Sequence, residues 1–353
     1  MKKTFILILF YFSFLFGQTQ TQIDSINYLL NQLPNNSQMA IAFVNSENVS
    51  YYGAIKENGE IKQIDNHKSV FEIGSITKVM TSTILANLVY KGKIALDDPL
   101  QKHVPFKIKR PEKNGKTVTI KMLSNHTSGL TRMPSGFTLL ALFNPENPYK
   151  NYNLNRMEKY FKRKMKMNRT PGKNALYSNI GVAFLGNVLG YIENIPYDIL
   201  LDKYVIRKYG MSSTSLDQNK IKENLVLGVN QNGDVVSNWD MNAFNPAGGV
   251  LSSVENLSRF AQANFFEDPI LDLQRKKTGE YNEKIDMALG WLIFNEEGET
   301  IYWHNGGTGG YSSDMSINVN AKKSIIILSN VSAFVNETNK YRSLNFTLLS
   351  KIE

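Results

Sequence analysis

The sequence predicts an α+β fold, in which an antiparallel sheet built from both termini is flanked by helices and carries a mostly helical inserted domain. Strand patterns occur near both ends of the chain, at 39–52 and at 300–329. The stretch between them has short helical patterns and long polar loops. Strands that share one core pack most simply into one sheet with helices on its faces.

This pattern divides the chain into four segments. We expect a signal peptide over 1–17 and the first part of the α/β domain, with the nucleophile helix, over 18–92. An inserted, mostly helical domain follows over 93–284, and the second part of the α/β domain occupies 285–353.

The N-terminus has the pattern of a secretory signal peptide. Lys2 and Lys3 precede an apolar run from Thr4 to Phe16, which ends at Gly17. A membrane-spanning helix needs about 20 apolar residues, so cleavage near Gly17 is favoured over an uncleaved anchor. We therefore predict a secreted or periplasmic protein with no stable membrane span after cleavage.

The first part of the α/β domain is predicted to contain a helix, a hairpin and a second helix. Apolar residues recur at helical spacing over 22–33. The β-rich runs 39–44 and 49–52 are joined by a polar turn and form a hairpin. A long amphipathic helix follows Gly74 and ends at Gly92.

The second part returns to strands after the inserted domain. Apolar, aromatic or alternating patterns predict strands at 288–294, 300–303, 311–319 and 324–329. Residues 337–351 place apolar side chains at helical spacing and predict a closing helix.

Composition narrows the possible functions. The chain has 353 residues, of which 42% are hydrophobic, which is enough for a folded core. It has no cysteine, which excludes disulfides, cysteine-ligated metals and a cysteine nucleophile. Forty basic residues against 31 acidic ones give a formal charge of +9.

Part of that charge lies in the basic stretch 156–166. We interpret this stretch as a solvated helix face whose apolar residues, Met157, Tyr160, Phe161 and Met165, point inward. An exported protein rarely meets nucleic acid, so no nucleic-acid partner is expected. Attraction to an anionic envelope polymer remains an alternative.

Ser75-Ile76-Thr77-Lys78 is the first candidate catalytic motif. Residues three apart share a helix face, so the hydroxyl and the amine can meet. A serine attacks only when a base removes its proton, and burial or a neighbouring cation can lower the pKa of a lysine enough for that role. The alternative is a helix cap followed by a surface lysine. Ser75 is the only serine with a lysine three positions later.

Tyr177-Ser178-Asn179 is the second candidate motif, and an apolar helical pattern follows it. A tyrosine beside a lysine ammonium can relay protons, and an asparagine amide offers a donor and an acceptor to a substrate amide. The alternative is a core tyrosine with a turn asparagine. A second Tyr-x-Asn begins at Tyr149 but lies in a proline-rich loop without an adjoining helix, so we rank it below Tyr177 as a candidate.

The third candidate is a glycine-rich stretch from His304 to Tyr311, between predicted strands. Glycines there allow a ligand close to the backbone, and their N–H groups can form an oxyanion hole with the N–H of Ser75. His304 is a candidate charge or hydrogen-bond partner for a substrate carboxylate. The spacing matches no nucleotide signature, and His304 has no partner at metal-ligand spacing. We expect neither a metal nor an organic cofactor.

In order and spacing these motifs resemble the serine β-lactamase and penicillin-binding superfamily, in its class C β-lactamase-like branch, which also holds D-alanyl-D-alanine carboxypeptidases and esterases. Tyr177 follows Ser75 by 102 residues, and His304 follows Tyr177 by 127. The resemblance covers nearly all of the mature chain. It includes Phe71-Glu72-Ile73-Gly74, Leu96-Asp97-Asp98-Pro99, His126-Thr127-Ser128-Gly129-Leu130, Pro246-Ala247-Gly248-Gly249 and Leu289-Gly290-Trp291.

The resemblance implies a β-lactamase/transpeptidase-like fold and a role for each motif residue. Ser75 is implied as the nucleophile, Lys78 as its proton acceptor or partner and Tyr177 as the second acid/base. The backbone N–H groups of Ser75 and Gly307 are implied as the oxyanion hole. The implied substrate-binding residues are Asn179, His304, Asn305 and Gly306.

Two departures from the family pattern concern the substrate. In the motif that is Lys-Thr-Gly in class C β-lactamases, His304 replaces the lysine, as in carboxypeptidase and esterase members, and Asn305 replaces the threonine. The predicted function is an exported serine hydrolase that forms an acyl-enzyme on Ser75 and acts on β-lactam or D-Ala-D-Ala peptide amide bonds. Its partner is a small-molecule or peptidoglycan-peptide substrate. Alternatives are a carboxylesterase, a penicillin-binding sensor that acylates without turnover, and an inactive relative.

Overall fold

The computed structural model describes residues 18–296 and 298–352. The predicted signal peptide lies outside these residues. The described chain forms the α+β fold that the sequence predicts, around a nine-stranded antiparallel sheet.

Strands occur near both ends of the chain and as short pairs between them. Their bounds are β1 Gln38–Asn45, β2 Val49–Glu57, β3 Glu60–Gln63, β4 Phe71–Glu72, β5 Glu112–Lys113, β6 Lys116–Thr117, β7 Gly228–Val229, β8 Val235–Val236, β9 Leu251–Ser252, β10 Gly279–Asn282, β11 Ile285–Met287, β12 Leu292–Glu296, β13 Glu299–Gly307, β14 Ser312–Asn318 and β15 Lys323–Ser329. The large sheet has the order β10-β11-β12-β13-β14-β15-β1-β2-β3. Its two halves join where β1 pairs with β15, with Ile41 opposite Ile327.

Helices cover both faces of the sheet and fill the inserted part. Their bounds are α1 Gln20–Gln32, α2 Thr77–Tyr90, α3 Ile120–Ser124, α4 Phe137–Leu142, α5 Leu154–Arg163, α6 Asn179–Glu193, α7 Tyr197–Leu201, α8 Asn245–Gly248, α9 Val254–Ala263, α10 Pro269–Arg275 and α11 Tyr341–Ser350. Helices α1 and α11 pack on one face of the sheet, and α9 packs on the other. Among the described residues no helix is long and apolar enough to cross a membrane.

Alternating side chains of β1 contribute to two separate hydrophobic cores, one on each face of the sheet. Ile41 and Phe43 belong to the core under α1 and α11. Ala42 and Val44 point to the opposite face and join the larger core that continues into the helical part. This period-two burial is what a strand covered on both faces requires.

Helix α2 differs from the amphipathic helix that the sequence predicts. Every residue from Thr77 to Leu88 is buried, because the helix lies between the sheet and the helical part. Its polar side chains are satisfied internally: the hydroxyl of Thr83 donates to Gln274 at 2.8 Å, and Ser82 lies 2.8 Å from the hydroxyl of Ser124. A helix that is enclosed on all sides has no solvent-exposed polar face, so its sequence need not show an amphipathic pattern.

The sheet also begins earlier than predicted. Strand β10 lies within 93–284, the stretch assigned to the inserted domain. Its residues Glu280 and Tyr281 are exposed, so the sequence has no buried face there to indicate a strand. By contrast, the basic stretch 156–166 agrees with the prediction. Its cations are exposed, and Met157, Tyr160, Phe161 and Met165 are buried.

Candidate active site

The fold brings the hydroxyl of Ser75 against the amine of Lys78. Ser75 lies in a single turn of 3-10 helix, Gly74–Ile76, that runs directly into α2. The Nζ atom of Lys78 is 2.8 Å from the Oγ atom of Ser75 and 2.6 Å from the carbonyl oxygen of Ala247. The first N–H groups of a helix have no partner within it, which leaves the N–H of Ser75 available to a ligand.

Lys78 is enclosed in a way that favours the neutral amine. Its side chain is completely buried. Burial, and then the positive charge of Arg132, lower its pKa well below the ordinary range. A neutral amine keeps a lone pair that can accept the proton of Ser75 while one of its N–H groups donates to Ala247.

The ring of Tyr177 lies directly over this pair. The Nζ atom of Lys78 is 5.0 Å from its centroid, and the guanidinium of Arg132 is also 5.0 Å away. The ring of His126 packs at 4.3 Å and that of His304 at 6.3 Å. Tyr177 therefore lies at the centre of these side chains, in a position from which it could exchange protons with Ser75 or Lys78.

Burial changes the proton role expected for Tyr177. It raises the pKa of the phenol to about 12, although Ser75 and Arg132 act in the opposite direction. A lysine ammonium beside the ring would ease its deprotonation. Since Lys78 favours the neutral form, Tyr177 keeps its proton at neutral pH and suits the role of a proton donor.

Asn179 offers an unused acceptor at the edge of the site. It begins α6, whose N-cap is Ser178, and the Oγ atom of Ser178 accepts from the N–H of Gly181 at 3.0 Å. Its Nδ2 group points to the sulfur of Met133 at 3.6 Å. Its Oδ1 atom is buried without a hydrogen-bond partner among the described residues. A substrate N–H group would satisfy it.

The end of strand β13 lies beside the nucleophile turn and requires glycine there. A Cβ atom on Gly306 would overlap the carbonyl oxygen of Ile73 and lie 2.8 Å from the backbone nitrogen of Ser75. A Cβ atom on Gly74 would lie 2.5 Å from the nitrogen of Gly307. The two backbones therefore approach more closely than side chains allow.

The second oxyanion donor points in the expected direction. The N–H of Thr308 donates to Tyr311 at 2.9 Å, towards β14. Successive amides of an antiparallel strand point in opposite directions, so the N–H of Gly307 points away from β14, towards the nucleophile side. Together with the N–H of Ser75 it can form the predicted oxyanion hole.

His304 faces the site in its neutral form. Burial, and then the proximity of Lys78, lower its pKa to about 3. Its Nδ1 atom is 2.6 Å from the carbonyl oxygen of Asn305, and since a carbonyl only accepts, Nδ1 carries the proton. The free Nε2 atom is then an acceptor. The charged partner for a carboxylate that the sequence suggested is therefore disfavoured, because a buried imidazolium beside an amine is costly.

Asn305 points to the other face of the sheet from His304. It is exposed, and its neighbour across the strand is Asp314, which accepts a hydrogen bond from the indole of Trp303 at 2.8 Å. Burial raises the pKa of Asp314 to about 8. Asn305 therefore borders the rim of the cleft, next to a carboxyl group that is protonated at neutral pH.

Three further residues line this region that the motif analysis did not assign to it. His126, which the sequence analysis names only within a segment of the family resemblance, packs on Tyr177, and its Nδ1 atom accepts from the N–H of Ser178 at 3.2 Å. Arg132 follows the same segment by a few residues, with no pattern to mark it. Tyr149, ranked below Tyr177 as a motif, is a buried wall residue against Trp239.

Ser75, Tyr177 and His304 line one cleft of about 860 Å³, together with Arg132 and Tyr149. Its lining includes two guanidinium groups, Arg132 near Tyr177 and Arg342 near Trp303. These two guanidinium groups place positive charge at the cleft wall. Among the described residues no cluster of three or more His, Asp or Glu side chains is arranged to hold a metal ion.

Comparison with known proteins agrees with this geometry. A family model described as Beta-lactamase matches residues 33–346, which is most of the chain. The chain belongs to the beta-lactamase family. This assignment confirms the resemblance to the serine β-lactamase and penicillin-binding superfamily that the motifs indicate.

Individual members of the family are distant from the chain. The D-alanyl-D-alanine-carboxypeptidase/endopeptidase AmpH of Escherichia coli K12 is 28% identical over 305 residues, which cover 80% of this chain and 74% of AmpH. A beta-lactamase/D-alanine carboxypeptidase of Yersinia pestis, solved with citrate, has a TM-score of 0.77 at 20% identity and covers 95% of this chain and 100% of that one. A class C beta-lactamase of Rhodobacter sphaeroides has a TM-score of 0.75 at 15% identity, covering 94% of this chain and 100% of that one. At these identities the solved structures support the fold alone.

Proposed function

We propose that the protein is a serine hydrolase that forms an acyl-enzyme on Ser75 and acts on D-Ala-D-Ala peptide or β-lactam amide bonds. The observation that carries the proposal is the 2.8 Å contact between the Oγ atom of Ser75 and the Nζ atom of a fully buried Lys78. Burial lowers the pKa of that amine and so favours the unprotonated form, which can take the proton of a serine nucleophile.

The first half of the reaction forms the acyl-enzyme. Lys78 takes the proton of Ser75 as Oγ attacks the carbonyl carbon, and the N–H groups of Ser75 and Gly307 stabilise the oxyanion. Tyr177 donates its proton to the leaving group as the carbonyl–leaving-group bond breaks. The ammonium of Lys78 then returns a proton to the phenolate, which restores both residues.

The second half releases the acyl group with water. Lys78 accepts a proton from the water as the water oxygen attacks the acyl carbon. The same N–H groups stabilise the oxyanion, and the Oγ atom of Ser75 leaves with a proton. Asn179 supports both halves by accepting a substrate N–H with its unused Oδ1 atom.

Permanent charge at the cleft supports an anionic substrate. Arg132 and Arg342 flank the site, and a guanidinium binds a carboxylate with charge-assisted hydrogen bonds. We therefore assign the substrate carboxylate to an arginine of the cleft and not to His304. The name of AmpH, a D-alanyl-D-alanine-carboxypeptidase/endopeptidase, supports a peptide with a free carboxylate.

One observation favours a carboxylesterase as the second candidate function. The neutral His304 presents an acceptor where the lysine of class C β-lactamases presents a cation. An acceptor repels a carboxylate but tolerates a neutral ester. On this reading the same acyl-enzyme chemistry acts on esters that lack the charged group.

We also propose that the protein is exported. The support is the basic and apolar pattern of residues 1–17, which lie outside the described structure. N-terminal sequencing of protein secreted by cells that express the full chain tests this: a mature start just after Gly17 supports export. Retention of the intact N-terminus inside the cell contradicts it.

Turnover of three substrates tests the proposed function. An acyl-D-Ala-D-Ala peptide, a penicillin and an uncharged activated ester are each mixed with the wild type and with Ser75→Ala. Release of D-alanine by the wild type alone supports the peptidase, and hydrolysis of the ester alone selects the esterase. A penicillin adduct without turnover selects the sensor, and equal rates in the two proteins would overturn the proposal.

Arg132→Ala adds a test of the substrate's charge. We expect KM to rise about tenfold or more for the peptide and to stay unchanged for the ester, because a charge-assisted hydrogen bond contributes about 1.5–3 kcal/mol. Arg156→Ala, an exposed arginine outside the cleft, is the matched control.

A further inference from the structure

The positive charge of the protein is concentrated in one segment. Residues 102–173 contain 17 lysines and arginines but only three aspartates and glutamates, a formal charge of +14. The whole chain carries +9, so the remaining residues together carry −5. The excess is therefore a local feature and not a property of the whole surface.

Two parts of this segment lie against each other. The backbone N–H of Lys109 donates to the carbonyl of Phe161 in α5 at 2.9 Å. The Nζ atom of Lys113, in the β5–β6 hairpin, donates to the carbonyl of Met167 at 2.7 Å. We use the term cationic face for the exposed residues Lys109, Arg110, Lys116, Lys159, Arg163 and Lys166 of these two parts.

The charges of the cationic face are not compensated within the protein. Over the described residues, the lysines and arginines of segment 102–173 that form ion pairs are Lys102, Lys121 and Lys162, and His103 also contacts Asp98. No member of the cationic face has a carboxylate oxygen within 4.0 Å in the described part of the chain. Like charges held together on one surface attract a polyanion.

An exposed apolar tip lies next to this surface. Leu139, Leu142 and Phe143, in α4 and directly after it, are 63%, 70% and 79% exposed. Tyr152 lies between the tip and α5, since its ring packs 5.9 Å from that of Phe137 in α4 and α5 begins two residues later, at Leu154. Three large apolar side chains exposed together on a soluble surface indicate a binding site.

We propose that this side of the protein docks on a bilayer of anionic phospholipid. The apolar tip enters the interface between headgroups and acyl chains, and the cationic face contacts the headgroup phosphates. Proteins that lie on a membrane combine these two features, and each lysine or arginine near an anionic surface contributes to binding. A soluble polyanion has no apolar layer for the tip. The inference goes beyond the proposed hydrolase and does not depend on it.

Vesicle sedimentation tests the docking without any catalytic readout. The protein is mixed with phosphatidylcholine vesicles with or without phosphatidylglycerol. We expect binding to the anionic vesicles only. The triple variant K159E/R163E/K166E should weaken that binding about a hundredfold, because each basic residue contributes about 1 kcal/mol near the surface. The control K220E/K222E/K276E makes the same change of charge on exposed lysines outside the segment and should bind like the wild type.

A second variant separates a bilayer from a soluble polyanion. L139S/L142S/F143S should bind anionic vesicles more weakly but soluble polyphosphate as the wild type does. Circular dichroism confirms that each variant is folded. Equal losses of vesicle binding in the two charge variants would show that net charge alone drives binding. Unchanged vesicle binding by the apolar variant would show that the cationic face binds a polyanionic polymer and not a bilayer. Either result, or no binding to anionic vesicles, would overturn the proposal.

Discussion

The amine of Lys78 contacts a hydroxyl and a carbonyl oxygen, and among the described residues it contacts no carboxylate. An ammonium ion in that position would lack a counter-ion inside the protein. Burial would then cost it several kcal/mol, whereas the neutral amine avoids most of that cost. The same burial therefore favours the form of Lys78 that the proposed mechanism requires.

Replacement of Lys78 by methionine tests this role. Methionine fills a similar volume without a base, so we expect kcat/KM for an activated ester to fall about 10²–10⁴-fold. Stability should change by only about 1 kcal/mol, because a single donor to Ala247 is lost. Steady-state kinetics and thermal unfolding measure the two effects. Retained activity in a folded Lys78→Met variant would show that another group takes the proton.

The pH response of substrate selection tests the state of His304. With its pKa lowered to about 3, the imidazole is neutral throughout pH 5–8. The ratio of kcat/KM for a carboxylate-bearing substrate to that for a neutral ester should therefore stay constant over this range. A ratio that rises as pH falls towards 5 would instead show that the imidazolium binds the carboxylate.

Among the elements, strand β13 and the nucleophile turn must approach each other closely. Gly306→Ala would place a methyl group against the carbonyl of Ile73, so we expect the strand to move and the oxyanion N–H groups to separate. Loss of one such donor costs about 3 kcal/mol of transition-state stabilisation, or about 10²–10³-fold in kcat.

Gly279→Ala is the matched control in the same sheet. A Cβ atom there meets its nearest neighbour, the terminal methyl of Met287, at 3.4 Å, which is ordinary contact. This variant should keep the wild-type kcat. If the two variants were equally active, the close approach of β13 to Ser75 would have no catalytic role.

Local spacing explains why the contact between Ser75 and Lys78 could be predicted from sequence. Ser75 and Lys78 are one helical turn apart, so their contact follows from the helix itself. Elements with one-sided burial were predicted for the same reason, as in α5. The position of helix α2 was predicted correctly. Its burial on all sides was not predicted, since only the packed fold covers its polar residues as well.

The rest of the site depends on tertiary packing. His126, Arg132 and Tyr149 come from loops without periodicity, and the fold alone brings them to Tyr177. The protonation states of His304 and Tyr177 could not be predicted from the sequence either, because they depend on burial. The sequence left open whether His304 is a charge or a hydrogen-bond partner, and burial in the cleft favours the neutral imidazole and the neutral phenol of Tyr177.

At the scale of the whole molecule, one buried carboxyl links stability to pH. The pKa of Asp314 is raised from 3.8 to about 8 by burial, so the folded protein holds a proton that the unfolded chain releases between pH 4 and 8. Fewer protons bound in the unfolded state mean that the free energy of unfolding falls as pH rises through this window. The slope from this group reaches about 1.4 kcal/mol per pH unit.

Asp314→Asn should remove that dependence. The amide keeps the volume and an acceptor for the indole of Trp303 but has no proton to release. Urea unfolding at several pH values between 4 and 8 should show the variant gaining stability relative to the wild type as pH rises. Parallel curves for the two proteins would mean that Asp314 is ionised in the folded state.

The central claim is that Ser75 becomes acylated with Lys78 as its base. Intact-protein mass spectrometry, followed by peptide mapping, tests it most directly after brief mixing with a penicillin or an activated ester. We predict an increase equal to the acyl group on the peptide that contains Ser75, none in Ser75→Ala, and much slower labelling in Lys78→Met. The same adduct in Ser75→Ala, or no adduct on the wild type with either reagent, would contradict the account.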